Sequence, residues 1–213
     1  MWPPEALEFL RELEDNNDRE WFKANRARYD RCLREPAEAL AEQLRPLGLP
    51  RFFRPYNDTR FHARPPIKEQ LGVALGYGAA GGYYFELSLD GLLVAAGLHH
   101  PAADQLDRFR RLMDDGRRAG RFERALAGAQ AAGLEIAAPA LKRAPKGWSP
   151  DHPRIERLRL KQLTVSRRHD LEPWLHTPEC VERVRSQLQA ARPLVLWLGE
   201  QVGPSQAAYA ATR

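Results

Sequence analysis

Two polar segments of the sequence carry the residue types best suited to binding an anion. We call residues 57–68 the first polar segment and residues 141–161 the second polar segment; both stand among ordinary apolar stretches. Their cationic side chains are Arg60, Arg64, Lys68, Lys142, Arg143, Lys146, Arg154, Arg157, Arg159 and Lys161. Guanidinium and ammonium groups donate charge-assisted hydrogen bonds to phosphate and carboxylate oxygens. The sequence therefore predicts an anion site without naming the anion.

Asp58 is spaced to orient Arg60 through a two-pronged carboxylate–guanidinium pair, which would keep Arg60 from pairing with another acid. Each charge-assisted hydrogen bond is worth roughly 1.5–3 kcal/mol, so two or three convergent donors suffice for micromolar binding of a small ligand. A second interpretation stays open, in which the same cations form ion pairs that tie a loop to the core.

Other catalytic chemistry has weaker support in the sequence. Asp58 and His99 are weak candidates for proton transfer, the latter because it follows a predicted strand. The 6 histidines show no His-x-x-x-His pair and the 2 cysteines no Cys-x-x-Cys clip, so we predict no metal and no cofactor. A metal-dependent nuclease of the restriction-enzyme type requires Glu-x-Lys on a strand, and the tripeptide that begins at Glu86 lacks the lysine.

Composition is typical of a folded protein with a mixed-charge surface. The chain has 213 residues, of which 43% are hydrophobic and 29% charged, and its net charge is +5. Acidic residues are interleaved with the basic ones almost everywhere, which is unlike proteins held on nucleic acid by charge alone. A small phosphorylated or carboxylated ligand is therefore the favoured partner, and nucleic acid the weaker one.

The sequence also predicts a cytoplasmic protein without a membrane partner. The N-terminus is neither cationic nor a long apolar run, so it does not resemble a secretory signal. The longest apolar string, residues 194–198, is far too short to span a bilayer. Nothing in the sequence indicates an oligomeric state.

Helices dominate the N-terminal part of the prediction. Leu7, Leu10 and Leu13 lie near one face of a helix that starts at Pro3 or Pro4 and breaks at the Asn16-Asn17 pair. Asn17 and Glu20 have capping-box spacing for a second helix. A third helix is predicted over residues 35–47, and residues 51–56 then form a short strand or extended segment that leads into the first polar segment.

A hairpin over residues 83–98 is the clearest local prediction. Apolar and polar residues alternate up to an Asp90-Gly91 turn, and the apolar return strand is expected at the centre of a sheet. Residues 76–82 are expected to form a loop before it. The later elements are a helix from Pro101, a helix over 121–132, a type I turn over 144–147, a short helix over 155–160, a strand over 162–167 and a helix from Pro178 that Pro193 should kink or split.

Together these elements predict an α+β fold. We expect a single compact domain over residues 1–203, built on a small, mostly antiparallel sheet that contains the hairpin and is packed by several helices. Residues 204–213 lack apolar periodicity and are predicted to be a frayed tail.

Several motifs together resemble a widespread bacterial and fungal family, catalogued as domain of unknown function number 2461. The motifs are NNDREWF at 16–22, NDTRF at 57–61, Pro66 with Lys68, AGL at 96–98 leading to Pro101, LKRAPKG at 141–147 and LRLK at 158–161. They cover nearly the whole chain in the family's order. The resemblance implies one compact α+β domain and supplies no catalytic assignment.

The sequence departs from the family's pattern inside the first polar segment. His62 stands where a serine is expected, the acidic member of a pair near Ala63 and Arg64 is lost, and Ile67 replaces an aromatic residue. The positions that the resemblance and the basic pattern carry over as ligand-binding candidates are Asp58, Thr59, Arg60, Lys68, Lys142, Arg143, Lys146, Arg159 and Lys161. Three classes of function remain open: an anion pocket in a cleft between the two polar segments, a nucleic-acid-binding module on the second segment, and an interaction domain whose basic residues are structural.

Overall fold

The structure, a computed structural model, describes residues 1–58, 60, 64–78 and 80–206. Its N-terminal helices are α1 (Glu5–Asp15), α2 (Arg19–Ala24), α3 (Arg26–Tyr29) and α4 (Glu35–Gln43), with a π-helical turn at Asp30–Arg34 between the last two and a 3-10 turn at Arg45–Leu47 after them. The strands are β1 (Pro50–Phe52), β2 (Gln70–Gly78), β3 (Gly81–Ser88), β4 (Gly91–Leu98), β5 (Glu135–Ile136) and β6 (Leu163–His169). The later helices are α5 (Ala103–Asp114), α6 (Gly116–Ala131), α7 (Ile155–Leu158) and α8 (Glu179–Trp197), with a 3-10 turn at Pro173–His176 and a π-helical turn at Leu198–Val202.

The strands form one six-stranded antiparallel sheet in the order β1-β2-β3-β4-β6-β5. This confirms the predicted α+β class and the predicted hairpin, which is the pair β3 and β4. β4 is an interior strand with β3 and β6 as neighbours, as its apolar sequence indicates. Gly97 allows β6 to approach closely, because a Cβ atom at this position would lie 2.2 Å from the carbonyl oxygen of Leu163.

The chain separates into two compact units, and whether they act as one domain stays a prediction. The first unit comprises Met1–Gly76, Tyr84–Val94 and Arg168–Arg185, and the second comprises Tyr77–Tyr83, Ala95–Arg167 and Ser186–Arg213.

Aromatic side chains fill the core of each unit. In the first, Phe9 packs against Trp21 and Tyr29 with ring centroids 5.5 and 5.9 Å apart, and Trp2 meets Phe85 of β3 edge to face. The apolar faces that the 3.6-residue period predicts for α1 and α2 are therefore the faces that are buried. Phe109, Phe122 and Trp197 form the corresponding cluster in the second unit, with centroids 5.1 to 6.3 Å apart.

The structure corrects the predicted start of the second helix. Asp18, one residue after Asn17, caps α2, since its carboxylate accepts hydrogen bonds from the backbone N–H groups of Glu20 and Trp21 at 2.8 Å each. The side chain of Asn17 is used elsewhere, in the contacts of the first polar segment.

Two predictions about loops are also wrong, and one of the two outcomes predicted for Pro193 is excluded. Most of the predicted loop over residues 76–82 belongs to strands, because β2 continues to Gly78 and β3 begins at Gly81. The turn after Ala144 is displaced by one residue: the N–H of Trp148 bonds the carbonyl of Pro145, and Gly147 takes the positive φ of 88° that suits a type II turn. Pro193 does not split α8, which runs unbroken through it.

The last described residues are held by hydrogen bonds to α5. The hydroxyl of Ser205 donates to Asp104 at 2.8 Å, and so does the backbone N–H of Gln206. Residues 207–213, the rest of the predicted frayed tail, lie outside the described residues. Within the described ranges, no helix is both long and apolar enough to cross a bilayer.

Candidate functional site

Two asparagines hold the first polar segment in place. The Asn17 side chain pairs with the backbone of Ile67 much as a strand would: it accepts from the Ile67 N–H at 2.9 Å and donates to the Ile67 carbonyl at 3.0 Å. Its amide also donates to Glu69 at 2.8 Å. Asn57 bonds the carbonyl of Pro65 at 2.8 Å, and Tyr56 forms an antiparallel bridge with Ile67. The ends of the segment are therefore fixed against α2 and against each other.

Asp58 and Arg60 form the two-pronged pair that the sequence predicts. Arg60 Nε lies 2.9 Å from Asp58 Oδ1 and Arg60 Nη2 lies 2.7 Å from Asp58 Oδ2. The guanidinium and the backbone N–H of Arg60 hold the pKa of the Asp58 carboxyl below its usual value. The Arg60 side chain is 76% exposed, so this pair is a surface contact of small energetic value. Thr59, between the two, lies outside the described residues.

Of the ligand-binding candidates that the structure describes in the first unit, Lys68 has the most enclosed setting. Its ammonium donates to the carbonyl of Arg54 at 2.9 Å and lies 5.7 Å from the centre of the Phe53 ring. Burial and the positive charge of Arg54 lower the pKa of Lys68. Within the described part of the chain, neither Lys68 nor Arg54 forms an ion pair with a carboxylate.

Lys68 and Arg54 line a common cavity of about 220 Å³ in the first unit. The remaining lining residues are Phe53, Gln70, Gly72 and Tyr84. β2 brings Gln70 and Gly72 to this cavity and β3 brings Tyr84, since alternate residues of a strand share a face. The extended segment after β1 supplies Phe53 and Arg54.

A buried carboxylate lies behind one side of this cavity. Glu86 is 7% exposed, and one of its oxygens accepts hydrogen bonds from Gln70 Nε2 and from the hydroxyl of Tyr84, at 2.7 Å each. Its other oxygen lies 3.5 Å from Arg168 Nη2. Burial, followed by the hydrogen bond to Glu86, raises the pKa of Tyr84 above its ordinary value, so the phenol keeps its proton.

Gly72 makes room for the Tyr84 hydroxyl. A Cβ atom at position 72 would lie 2.2 Å from the hydroxyl oxygen and 3.0 Å from the ring carbon that bears it. Only glycine therefore leaves the Tyr84 ring where it is.

The first unit has a second, larger cavity of about 720 Å³, and Arg54 lines both cavities. Its other lining residues are Arg19, Lys23, Tyr56, Asn57, Asp58 and Arg60. Four of the seven side chains are cationic and one is acidic, so this surface also favours anions.

The second polar segment belongs to the second unit, where most of its arginines bind carboxylates or backbone carbonyls. Arg159 donates to the carbonyl of Leu141 and pairs with Glu156 at 2.8 Å. Arg157 forms a two-pronged pair with Glu123. Lys142, Arg143, Lys146 and Lys161 are exposed, and none pairs with an acid in the described ranges. Arg159 therefore has a structural role, and the exposed four are the cations of this segment that remain available to a partner.

His99 directly follows β4, the strand end that the sequence predicts for it. Its ring lies 4.1 Å from that of His100, and burial together with this neighbour lowers the pKa of His99. It belongs to the second unit, and Asp58 to the first. Among the residues that the structure describes, no three histidine, cysteine or acidic side chains gather as metal ligands would.

Sequence reasoning missed most of the first cavity. The sequence predicts only an extended segment around Arg54, and it does not predict the strand that carries Gln70 and Gly72. The alternation of Leu71, Val73 and Leu75 with smaller residues is the signal that could have revealed β2. Nothing local to Glu86 indicates that Tyr84 and Gln70 converge on its carboxylate.

Comparison with known proteins agrees with the motifs. No curated protein and no solved structure matches the chain. The family described as conserved hypothetical protein (DUF2461) matches residues 5–197, and the chain belongs to that family.

Proposed function

We propose that this protein binds a small anion, a phosphate or a carboxylate, in the cavity that Lys68 and Arg54 line. One observation carries the proposal. These two cations line the same cavity, and in the described part of the chain no carboxylate forms a salt bridge with either of them, although the charge of Asp58 is near enough to Arg54 for each to act on the other. A ligand anion would supply the missing charge.

Most other arginines of the first unit are already paired, which makes these two cations distinctive. Arg28 binds Glu5 and Glu12, and Arg26 binds Asp30. Burial and the neighbouring charge of Arg54 disfavour the Lys68 ammonium, and the negative charge of a bound anion would offset this cost. Two charge-assisted hydrogen bonds of roughly 1.5–3 kcal/mol each correspond to a Kd between several millimolar and tens of micromolar.

The pH dependence of binding follows from the state of Lys68. Its ammonium form donates to the anion, and its pKa is lowered from the ordinary value of 10.5. The affinity for a carboxylate should therefore fall as the pH rises through this lowered pKa. Arg54 remains charged throughout, so some binding should survive.

The thermal shift of unfolding, measured at constant ionic strength, tests the proposal. Phosphate, pyrophosphate and acetate are compared on wild type, on Lys68→Gln and on the control Arg124→Gln, which removes one exposed charge from α6. We expect saturable stabilisation of wild type and of the control and a loss of at least about tenfold in affinity for Lys68→Gln. Equal responses of the three proteins, or no response to any anion, would contradict it.

A nucleic-acid-binding function is the second candidate, supported by the exposed Lys142, Arg143 and Lys146 of the second unit. Affinity for a single-stranded oligonucleotide should then fall steeply with salt, because bound counterions are released. It should also weaken in the Lys142→Gln variant and be unaffected by Lys68→Gln. The cleft between the two polar segments stays a prediction, in which both variants should weaken binding of the same anion. Proton transfer by Asp58 or His99 also stays a prediction.

A further inference from the structure

The first cavity has two chemically different sides. Lys68 and Arg54 offer hydrogen-bond donors and positive charge. On the other side lie Tyr84 and Gln70, whose partner is the buried carboxylate of Glu86. The nature of this second side restricts which anions fit.

The Tyr84 hydroxyl can only accept a hydrogen bond from a ligand. A phenol has one proton, and that of Tyr84 is donated to Glu86 at 2.7 Å. Tyr84 lines the cavity, and its hydroxyl oxygen keeps a lone pair for a further donor. The carboxylate behind it strengthens this preference, because hydrogen bonds in a chain polarise one another.

Gln70 adds a second acceptor. Its amide nitrogen donates to Glu86 at 2.7 Å, which fixes the orientation of the amide, and its carbonyl oxygen accepts no hydrogen bond from the described residues. Because Tyr84 and Gln70 both donate to Glu86, the Tyr84 hydroxyl oxygen and the Gln70 carbonyl oxygen are left to accept hydrogen bonds from a ligand.

We propose that the ligand of this cavity is a small anion that also carries a hydrogen-bond donor, an ammonium or a hydroxyl group, a few bonds from its anionic group. It rests on the proposed function, because Lys68 and Arg54 must bind the anionic group. The donor group of the ligand then donates hydrogen bonds to Tyr84 and Gln70, which are themselves hydrogen-bonded to the carboxylate of Glu86.

The dimensions of the cavity favour a short molecule. The Lys68 ammonium lies 5.7 Å from the centre of the Phe53 ring, and the Tyr84 ring centre lies 6.0 Å from the same point. Phe53 therefore borders both sides, and a volume of about 220 Å³ is enough for a short molecule. The Phe53 ring offers an apolar wall for the carbons between the two ligand groups.

Isothermal titration with ligands of equal size tests this inference. One set is propionate, glycolate and glycine, and the other is propyl, 2-hydroxyethyl and 2-aminoethyl phosphate. The second and third members of each set carry a hydroxyl or an ammonium in place of a methyl group, so they separate the two kinds of donor. Glycine has no net charge, and a site that senses only charge would bind it more weakly than propionate.

We expect wild type to bind one donor-bearing member of a set about tenfold more tightly than its methyl counterpart. Tyr84→Phe, which keeps the ring, should reduce the ratio of affinities between the donor-bearing member and the methyl member of a set to near one. Tyr77→Phe is the matched control, since Tyr77 is exposed and does not line the cavity.

The outcomes separate this inference from the proposed function. Equal affinities within each set, or a preference that survives in Tyr84→Phe, would overturn the inference and leave anion binding in place. If none of the six compounds bound to wild type, the proposed function would fail and the inference with it. Lys68→Gln should weaken every member of both sets.

Discussion

Replacing Asn17 with alanine should destabilise the protein far more than the same change at the adjacent Asn16. Asn17 makes three hydrogen bonds to the end of the first polar segment, two with the Ile67 backbone and one with Glu69. Ile67 is fully buried, so its N–H would lose a partner that water cannot easily replace. Asn16 makes one hydrogen bond, to the carbonyl of Glu12 at an exposed helix end.

The expected magnitude follows from these contacts. A net contribution of roughly 0.5–1.5 kcal/mol for each of the three bonds, with a buried donor left unsatisfied, gives a loss of roughly 2–4 kcal/mol for Asn17→Ala. For a chain of this size that corresponds to a fall in Tm of roughly 5–15 °C. Asn16→Ala should cost less than about 1 kcal/mol.

Urea unfolding of both variants measures the difference, and an unchanged m-value would show that the change lies in stability. A third variant, Asn17→Asp, keeps an acceptor for the Ile67 N–H but loses both donated bonds and adds a negative charge beside Glu69. It should be at least as unstable as Asn17→Ala at neutral pH and recover partly below about pH 4, where carboxylates are protonated. Equal midpoints for the alanine variants of Asn16 and Asn17 would refute the assigned role of Asn17.

Three further changes have expected outcomes. Asp18→Ala should lower the free energy of unfolding by about 1 kcal/mol and Asp18→Ser by less, because only the alanine removes the cap of α2; equal losses in urea unfolding would contradict this. Gly97→Ala should abolish or severely weaken folding, as its φ is 118° and the new Cβ would meet the Leu163 carbonyl at 2.2 Å; a circular dichroism melt like that of wild type would be inconsistent with β4 and β6 as neighbours. The Gln206 N–H and the Ser205 hydroxyl lower the pKa of Asp104 to about 2. The contribution of the Asp104 carboxylate to the free energy of unfolding should therefore be complete above the usual pKa of 3.8 and be lost as the pH falls towards 2. In Asp104→Asn, the fall of Tm with acid pH should lack this contribution.

The elements that sequence reasoning predicted well are those with one dominant local signal. In α1, Leu7, Leu10 and Leu13 recur at helical spacing, and all three are buried. In the hairpin, alternation and an Asp-Gly pair fix both strands to within a few residues. Such signals are read from neighbours in sequence and need no knowledge of the rest of the fold.

The strand β2 was missed because its glycines also favour a loop. Gly76 and Gly78 sit at its end, and Gly76 has a positive φ of 55°. Gly72, however, is required for contact with Tyr84 on the neighbouring strand and not for a turn. A glycine that is needed for close approach cannot be distinguished by sequence from one that is needed for a turn.

In the candidate site too, sequence reasoning predicted only contacts between residues that are close in sequence. Asp58 and Arg60 are two residues apart, and their pairing was predicted from that spacing and is confirmed. The partners of Glu86 come from three segments, with Gln70 on one strand and Arg168 on another. Because the register between strands decides these contacts, one sequence without a structure could not have revealed them.

The polar residues around the first cavity fall into two groups, according to the partners that their polar atoms already bind. Asn17 and Asn57 are used in fixing the backbone of the segment, so alanine at either should act mainly on stability. Lys68 uses its ammonium to bond one backbone carbonyl, and in the described ranges it has no counter-charge, so Lys68→Gln should act mainly on ligand affinity. Glu86 joins the two groups, since it is buried like a structural residue yet fixes the acceptor direction of Tyr84 beside the cavity. Glu86→Gln should therefore change both quantities, and a variant that altered only one of them would show which of the two roles the carboxylate has.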